Sequence, residues 1–167
     1  FTINAMALEL TTDEPTFIDL FDGVVDLQKK IIKTPGKAED SFSDDPLRMM
    51  RAARFMSQLN FEVDESVLVA IKNMAARLEI ISAERIRDEF IKIMMSSSPR
   101  LGITLLVETG LSDYFLPEVP RLKLEIDEHH HHKDVYEHSL TVLEQAIALE
   151  DRLSGANLTL RLAALLH

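Results

Sequence analysis

Apolar and polar positions change rhythm once along this chain, near residue 45. Before it, "FTINAMALEL" alternates, with Phe1, Ile3 and Ala5 on one side, and this spacing predicts a strand. "FIDLFDGVVDL" places Asp22-Gly23 between two β-prone runs, the signal of a hairpin. "IIKTPGKAEDSFS" holds Pro35, Gly36 and several polar residues, and reads as a turn or linker.

From Asp45 the period becomes helical. Asp45-Pro46 is a cap followed by proline at the first helical position, and Met49, Ala52, Ala53, Met56 and Leu59 fall on one face. Val67, Ile71, Met74 and Leu78 form a second apolar stripe, and Ile86, Phe90 and Ile93 a third. Pro99 opens a further helix for which Gly110 is the C-terminal cap. "LSDYFLPEVP", broken by Pro117 and Pro120, reads as a connector. A last helical pair is predicted, capped by Asp134 and by Asn157. The expected architecture is mainly α, a short β portion followed by many helices.

Composition narrows the class. With 46% apolar and 28% charged residues the chain is neither disordered nor fibrous. No apolar run approaches the roughly 18 residues of a membrane span, and no signal-peptide pattern opens the chain, so a cytoplasmic protein without a membrane partner is expected. The absence of cysteine excludes disulfides, thiolate metal sites and thiol nucleophiles within the chain. "RLAALLH" stops at His167 in a helical pattern without a stop signal, and Phe1 is no initiator, so a fragment of a longer protein is expected.

The net charge of −10 argues against indiscriminate polyanion binding, so any nucleotide or nucleic-acid role must rest on a local patch. "SDDPLRMMRAARF", residues 43–55, is such a patch. Asp45 and Arg48 lie three apart at a helix start, and can present an acceptor beside a fork of donors. Cytosine and adenine carry an exocyclic amine next to a ring-nitrogen acceptor, whereas uracil and guanine show the opposite order. Such a pair would therefore accept C and A. Arg51 and Arg54 continue along roughly the same side, where guanidinium groups suit a triphosphate. The spacing equally permits a plain helix start, with Asp45 as cap, Arg48 paired to Asp44 or Asp45, and the other arginines solvated.

Several segments in order carry a resemblance. "FTINAMALE", "DLFDGVVDL", "IIKTPGKAEDSFSDDPLRMMRAARF", "ERIRDEF" and "HKDVYEHSL…LRLAALLH" are similar in order and spacing to bacterial class II CCA-adding tRNA nucleotidyltransferases, relatives of poly(A) polymerase. The resemblance implies that residues 1–37 close a nucleotidyltransferase head, 38–98 form a helical neck that recognises the base, 99–134 are a body or connector, and 135–167 begin an HD domain. It implies that Asn4 belongs to the head motif. Asp19, Gly23 and Asp26 would mark a flexible element, with Gly23 supplying its tight turn. Asp44, Asp45 and Arg48 would select CTP and ATP, although the usual first residue of the acidic pair is Glu. Glu84 and Arg85 would support the neck as ion-pairing residues, with a solvated helix face as the alternative. The partners implied are the tRNA 3′ end, CTP and ATP.

In that family Mg²⁺ is held by an Asp-x-Asp pair in the head, which is expected upstream of Phe1; no catalytic residue is expected in this chain, and alone it should bind nucleotide weakly and transfer none. The HD pattern implies His138 and His167 as ligands of a second divalent metal, Mn, Fe, Ni or Mg, incomplete without the aspartate that would follow. His129 to His132 read as a solvated run, an adventitious metal binder or an engineered tag. Three functions follow for testing. They are CCA addition or its CC-adding, A-adding or poly(A)-forming variants, HD phosphohydrolysis, and a non-catalytic helical RNA-binding module. Oligomeric state is not legible.

Overall fold

A computed structural model describes residues 1–11, 14–124, 135–153 and 155–167. Helices dominate, as the periodicity predicts, with two small two-stranded sheets among the described residues. The β portion is organised differently from the expectation. Strand β1 covers only Met6–Glu9, because Thr2–Asn4 winds into a 3-10 turn whose Thr2 N–H donates to the Lys33 carbonyl at 2.8 Å. β1 pairs antiparallel with β2, Thr16–Asp19, in the register Met6 to Asp19 and Glu9 to Thr16.

The hairpin expected around Asp22-Gly23 does not form. Those residues start helix α1, Gly23–Lys29. The Asp19 carboxylate decides this, accepting the Gly23 and Val24 N–H groups at 2.8 and 2.9 Å and so satisfying donors that a helix start leaves free. Gly23 also does not supply the tight turn, since the positive φ of 56° belongs to Asp22. Glycine is required at 23 for space: a Cβ there would run into the Thr2 carbonyl oxygen and lie 3.0 Å from the Met6 side chain.

The expected linker is also structured. Ile31–Ile32 (β3) pairs in parallel with Glu62–Val63 (β4), and Gly36 turns the chain at φ 77° into helix α2, Ala38–Asp44. Fully buried Phe42 anchors α2, a burial worth about 1.5–3 kcal/mol. Its apolar content is too small to show as a stripe, so tertiary contact overrides the polar local sequence.

Helix α3, Leu47–Leu59, is the centre of the helical part. Met49, Met50, Ala52 and Ala53 are fully buried; Leu59, expected on that face, is exposed because the helix ends there at Asn60 in the left-handed region. Helix α4 (Glu65–Met74) buries Val67 and Ile71, and Leu78 in the following 3-10 turn completes that stripe. Helices α5 (Ala83–Met94) and α6 (Pro99–Glu108) pack against α3. The α3–α6 approach is close at Gly102, where a Cβ would meet Ile93 at 2.8 Å and the Ala53 carbonyl at 3.0 Å. Gly110 follows α6 at φ 77°, the expected C-terminal cap.

The connector forms a 3-10 turn and the short helix α7, Glu118–Arg121. Helices α8 (Val135–Ala148) and α9 (Leu158–Leu165) pack on each other, and Asn157 caps α9 by accepting the Leu160 N–H at 3.0 Å. Asp134, the expected cap of α8, and His129 to His132 lie outside the described residues. Among the described residues no helix is long and apolar enough to cross a membrane.

Candidate functional site

The N-terminus of α3 is set by Asp45 and Pro46. Asp45 is extended (φ −145°, ψ 97°), Pro46 is already helical, and Asp45 Oδ1 accepts the Leu47 N–H at 3.3 Å. The next helical turns point Arg48, Arg51 and Arg54 into a cleft of about 420 Å³, lined also by Asn4, Phe55, Glu89 and Lys92. Four elements build it: the N-terminal 3-10 turn, α2, α3 and α5.

Asp45 and Arg48 are held by separate partners. Arg48 donates to the Ser41 carbonyl and hydroxyl at 3.1 and 3.0 Å, with Asp44 at 4.0 Å. Asp45 has Arg85 at 3.4 Å on one oxygen and Arg51 at 3.6 Å on the other. Its carboxylate borders the cleft through Arg51 and is not itself part of the lining. Asp44 is 78% exposed at its side chain, and its long contact to Arg48 is its described ion pair. The plain helix-start reading thus contains a true part, since Asp45 does cap α3. Its prediction of solvated arginines fails at Arg54, which is 16% exposed, stacks its guanidinium 4.5 Å from the Phe55 ring centroid and meets Glu89 at 2.9 Å.

The remaining expected residues divide. Arg85 reaches Asp45 from α5, whereas Glu84 turns to its own helix start. Hydrogen bonds from its own backbone N–H and the Ser82 hydroxyl pull the Glu84 carboxyl below the usual range, the first being the larger cause. Asn4 lines the cleft. Asp26 accepts the Thr2 hydroxyl at 2.7 Å, tying α1 to the turn that carries Asn4. The backbone N–H groups of Val24, Gly23 and Phe21 hold the Asp19 carboxyl below its ordinary value.

His138 and His167 do come together, with ring centroids 5.2 Å apart and His167 Nδ1 2.9 Å from the Ala164 carbonyl. Two imidazoles do not complete a centre, and among the described residues no group of three or more His, Asp or Glu is arranged to hold a metal.

Glu89 and Lys92 were not singled out by sequence reasoning. A signal was present: Glu89 falls between Ile86 and Ile93 on the apolar stripe of α5, where an acid must find partners, and it is buried at 4% exposure.

Comparison with known proteins bears on this geometry. Residues 60–122 match the family model described as "Probable RNA and SrmB- binding site of polymerase A". The chain is 48% identical over 113 residues to the CCA-adding enzyme of Lactobacillus delbrueckii subsp. bulgaricus, a match covering 68% of this chain and 28% of that one. It is 46% identical over 114 residues to that of Limosilactobacillus reuteri, with the same coverage. Over the residues it spans, the chain belongs to the CCA-adding enzyme family. Among solved structures, the Bacillus stearothermophilus CCA-adding enzyme in complex with CTP matches 99% of this chain and 40% of its own, at TM-score 0.70 and 31% identity. A CCA-adding enzyme complexed with ATP matches the whole chain and 38% of its own, at TM-score 0.74 and 26% identity. The mainly helical architecture is therefore that of the family, and the chain spans less than a third of the length of the curated CCA-adding enzymes it matches.

Proposed function

We propose that this chain is the base-reading neck and adjoining body of an enzyme that adds C and A from CTP and ATP to the 3′ end of tRNA. The observation that carries the reading is the start of α3. Asp45 and Arg48 stand one helical turn apart with separate partners, and Arg51 and Arg54 face one cleft beside them. Asp45 accepts the exocyclic amine proton of cytosine or adenine, and Arg48 donates to the neighbouring ring nitrogen. Uracil and guanine would set donor against donor and acceptor against acceptor, leaving polar groups unpaired at about 1–3 kcal/mol each. Arg51 and Arg54 hold the phosphates through their guanidinium forks.

Transfer would be attack of the terminal ribose 3′-hydroxyl, with loss of its proton, on the α-phosphate, breaking the α–β phosphoanhydride bond and releasing pyrophosphate; a divalent metal, Mg²⁺ in this proposal, would supply Lewis-acid stabilisation of the developing charge. Among the described residues no group of three or more His, Asp or Glu is arranged to hold a metal, and the part this proposal assigns to the chain is binding, orientation and base choice.

The test is the complete enzyme with Mg²⁺ and a tRNA transcript lacking its last three nucleotides, each NTP supplied alone and in mixture, and products sized at nucleotide resolution. Growth by C, C and A followed by a stop is expected; two Cs, a lone A or a long A tail would assign the chain to a CC-adding, A-adding or poly(A)-forming relative. Asp45→Ala and Arg48→Ala are expected to lose the preference for C and A, and an unchanged preference would refute the base-reading role. A second reading, an HD phosphohydrolase in residues 135–167, is favoured by the approach of His138 to His167. It requires metal-dependent phosphate release that disappears in His138→Ala.

A further inference from the structure

Residues 29–37 hold four of the chain's 18 Lys and Arg and none of its 28 Asp and Glu, and the reading above uses none of them. Lys29, Lys30, Lys33 and Lys37 are all exposed, and within the described residues none of the four forms an ion pair. Acids are near in the chain: Glu39 and Asp40 follow in the first turn of α2, and Glu62 lies across the sheet from Ile31. In a chain of net charge −10, four cations left without a carboxylate are available to an external anion.

The backbone that carries them is held in place. Lys30 closes α1 in the left-handed region, its carbonyl accepts the Glu62 N–H at 2.9 Å, and the Ile32 carbonyl accepts the Asp64 N–H at 3.0 Å. Ile32 and Thr34 are buried, which leaves Lys33 between them on the outer side. The Thr34 hydroxyl donates to the Gly36 carbonyl at 3.1 Å, and Gly36 turns the chain so that Lys37 stands at the start of α2. The segment also borders the cleft. The Lys33 carbonyl accepts the Thr2 N–H at 2.8 Å, and Thr2 lies between Phe1 and Asn4, which both line the cleft; Ser41 of α2 lines it as well. A free nucleotide is accommodated inside the cleft, whereas a longer polyanion whose end enters there continues outside it, where these lysines stand.

We propose that Lys29, Lys30, Lys33 and Lys37 form a contact surface for the phosphodiester backbone of the tRNA, holding it by charge while its 3′ end lies in the cleft. The inference rests on the tRNA-extending reading above. Lysine ammonium groups are mobile point charges that hold phosphates without reading bases. The surface therefore supplies affinity and salt dependence, and no choice of C over U.

The experiment follows binding of the complete enzyme to a tRNA transcript lacking its last three nucleotides, by fluorescence anisotropy across a salt series. The parent is compared with a fourfold variant carrying Lys29→Gln, Lys30→Gln, Lys33→Gln and Lys37→Gln. Each phosphate contact adds about 0.7–0.9 to the slope of log affinity against log salt, so from about 50 to 200 mM salt the parent should lose roughly 50- to 150-fold more affinity than the variant. Replacing the same four lysines by arginine should keep the parent slope. CTP affinity and the preference for CTP over UTP should not change. Pairwise variants, at Lys29 with Lys30 and at Lys33 with Lys37, should each show about half of the slope change, and they carry the test should the fourfold variant fail to fold. Lys72, Arg87, Arg121 and Arg152, exposed cations elsewhere, replaced together by Gln give a variant of the same net charge. An equal loss in that variant overturns the proposal, as does an unchanged slope in the fourfold variant or a loss of CTP affinity as large as that for tRNA. A parent whose tRNA binding depends on the lysines but which adds all four nucleotides alike refutes the base reading and upholds the surface.

Discussion

Arg161→Met tests how the α8–α9 pair is fastened to α5, the helix that carries Arg85 and Glu89. Arg161 is 4% exposed. Its Nε and Nη2 donate to the two Glu150 oxygens at 2.7 and 2.6 Å, and its Nη1 to the Met94 and Ser96 carbonyls at 2.6 and 2.8 Å. Methionine preserves much of the stem and none of the donors. Glu150, 6% exposed, would keep the Asn157 N–H at 3.0 Å, and two carbonyls at the end of α5 would lose their donor.

Stripping one partner from a buried ion pair costs about 3–5 kcal/mol. The carboxylate has an escape, because protonating an acid of ordinary pKa 4.5 at pH 7 costs about 3.4 kcal/mol, which caps the charge penalty near that value. Each of the two abandoned carbonyls adds about 1 kcal/mol, so a loss of about 5 kcal/mol at pH 7 is expected, a large part of an ordinary domain's stability.

The pH dependence supplies a second check. In the parent, hydrogen bonding to the Arg161 guanidinium lowers the Glu150 carboxyl to about 2, below its ordinary 4.5. That stabilisation is complete above pH 4.5 and is lost as the pH falls towards 2. In the variant, burial without the counter-ion raises the carboxyl above 4.5, so the deficit shrinks as the pH is lowered from 7 to 5. Urea unfolding of both proteins at pH 7 and pH 5 reads both effects. A deficit under about 1 kcal/mol at pH 7, or one that does not shrink at pH 5, would refute the reasoning.

Two further outcomes concern the start of α1. Gly23→Ala is expected to push α1 off the Thr2 carbonyl and destabilise by about 1–3 kcal/mol, seen as a lower thermal midpoint; an unchanged midpoint would mean that α1 does not press on that turn. Asp19→Asn keeps an acceptor but removes the charge that the α1 N-terminus favours, so the Gly23 and Val24 amides should exchange faster with deuterium. Because the Asp19 carboxyl lies below its ordinary 3.8 in the fold, the same loosening should appear in the parent as the pH falls through and below that value, and protection independent of pH there would count against the cap.

The helical part was legible because its information is periodic and local. Apolar stripes at helical spacing, the Asp45-Pro46 start, Gly110 and Asn157 each act within a few residues, and apart from Leu59 at the end of its stripe they hold in the fold. The motifs placed Arg48, Arg51 and Arg54 on one helix with Asp45 just before its start. Beyond that point local reasoning ran out. Val24 and Val25 suggest a strand, but Asp19 caps them into a helix; "AEDSFSD" suggests a loop, but Phe42 finds a core to enter. Tertiary structure alone brought Glu89 to Arg54 across 35 positions, Arg85 to Asp45 across 40, and Arg161 to the end of α5 across 67. A buried charge takes whichever partner packing delivers, and ion pairs depend on distance in space, so their choice is absent from any short stretch of sequence.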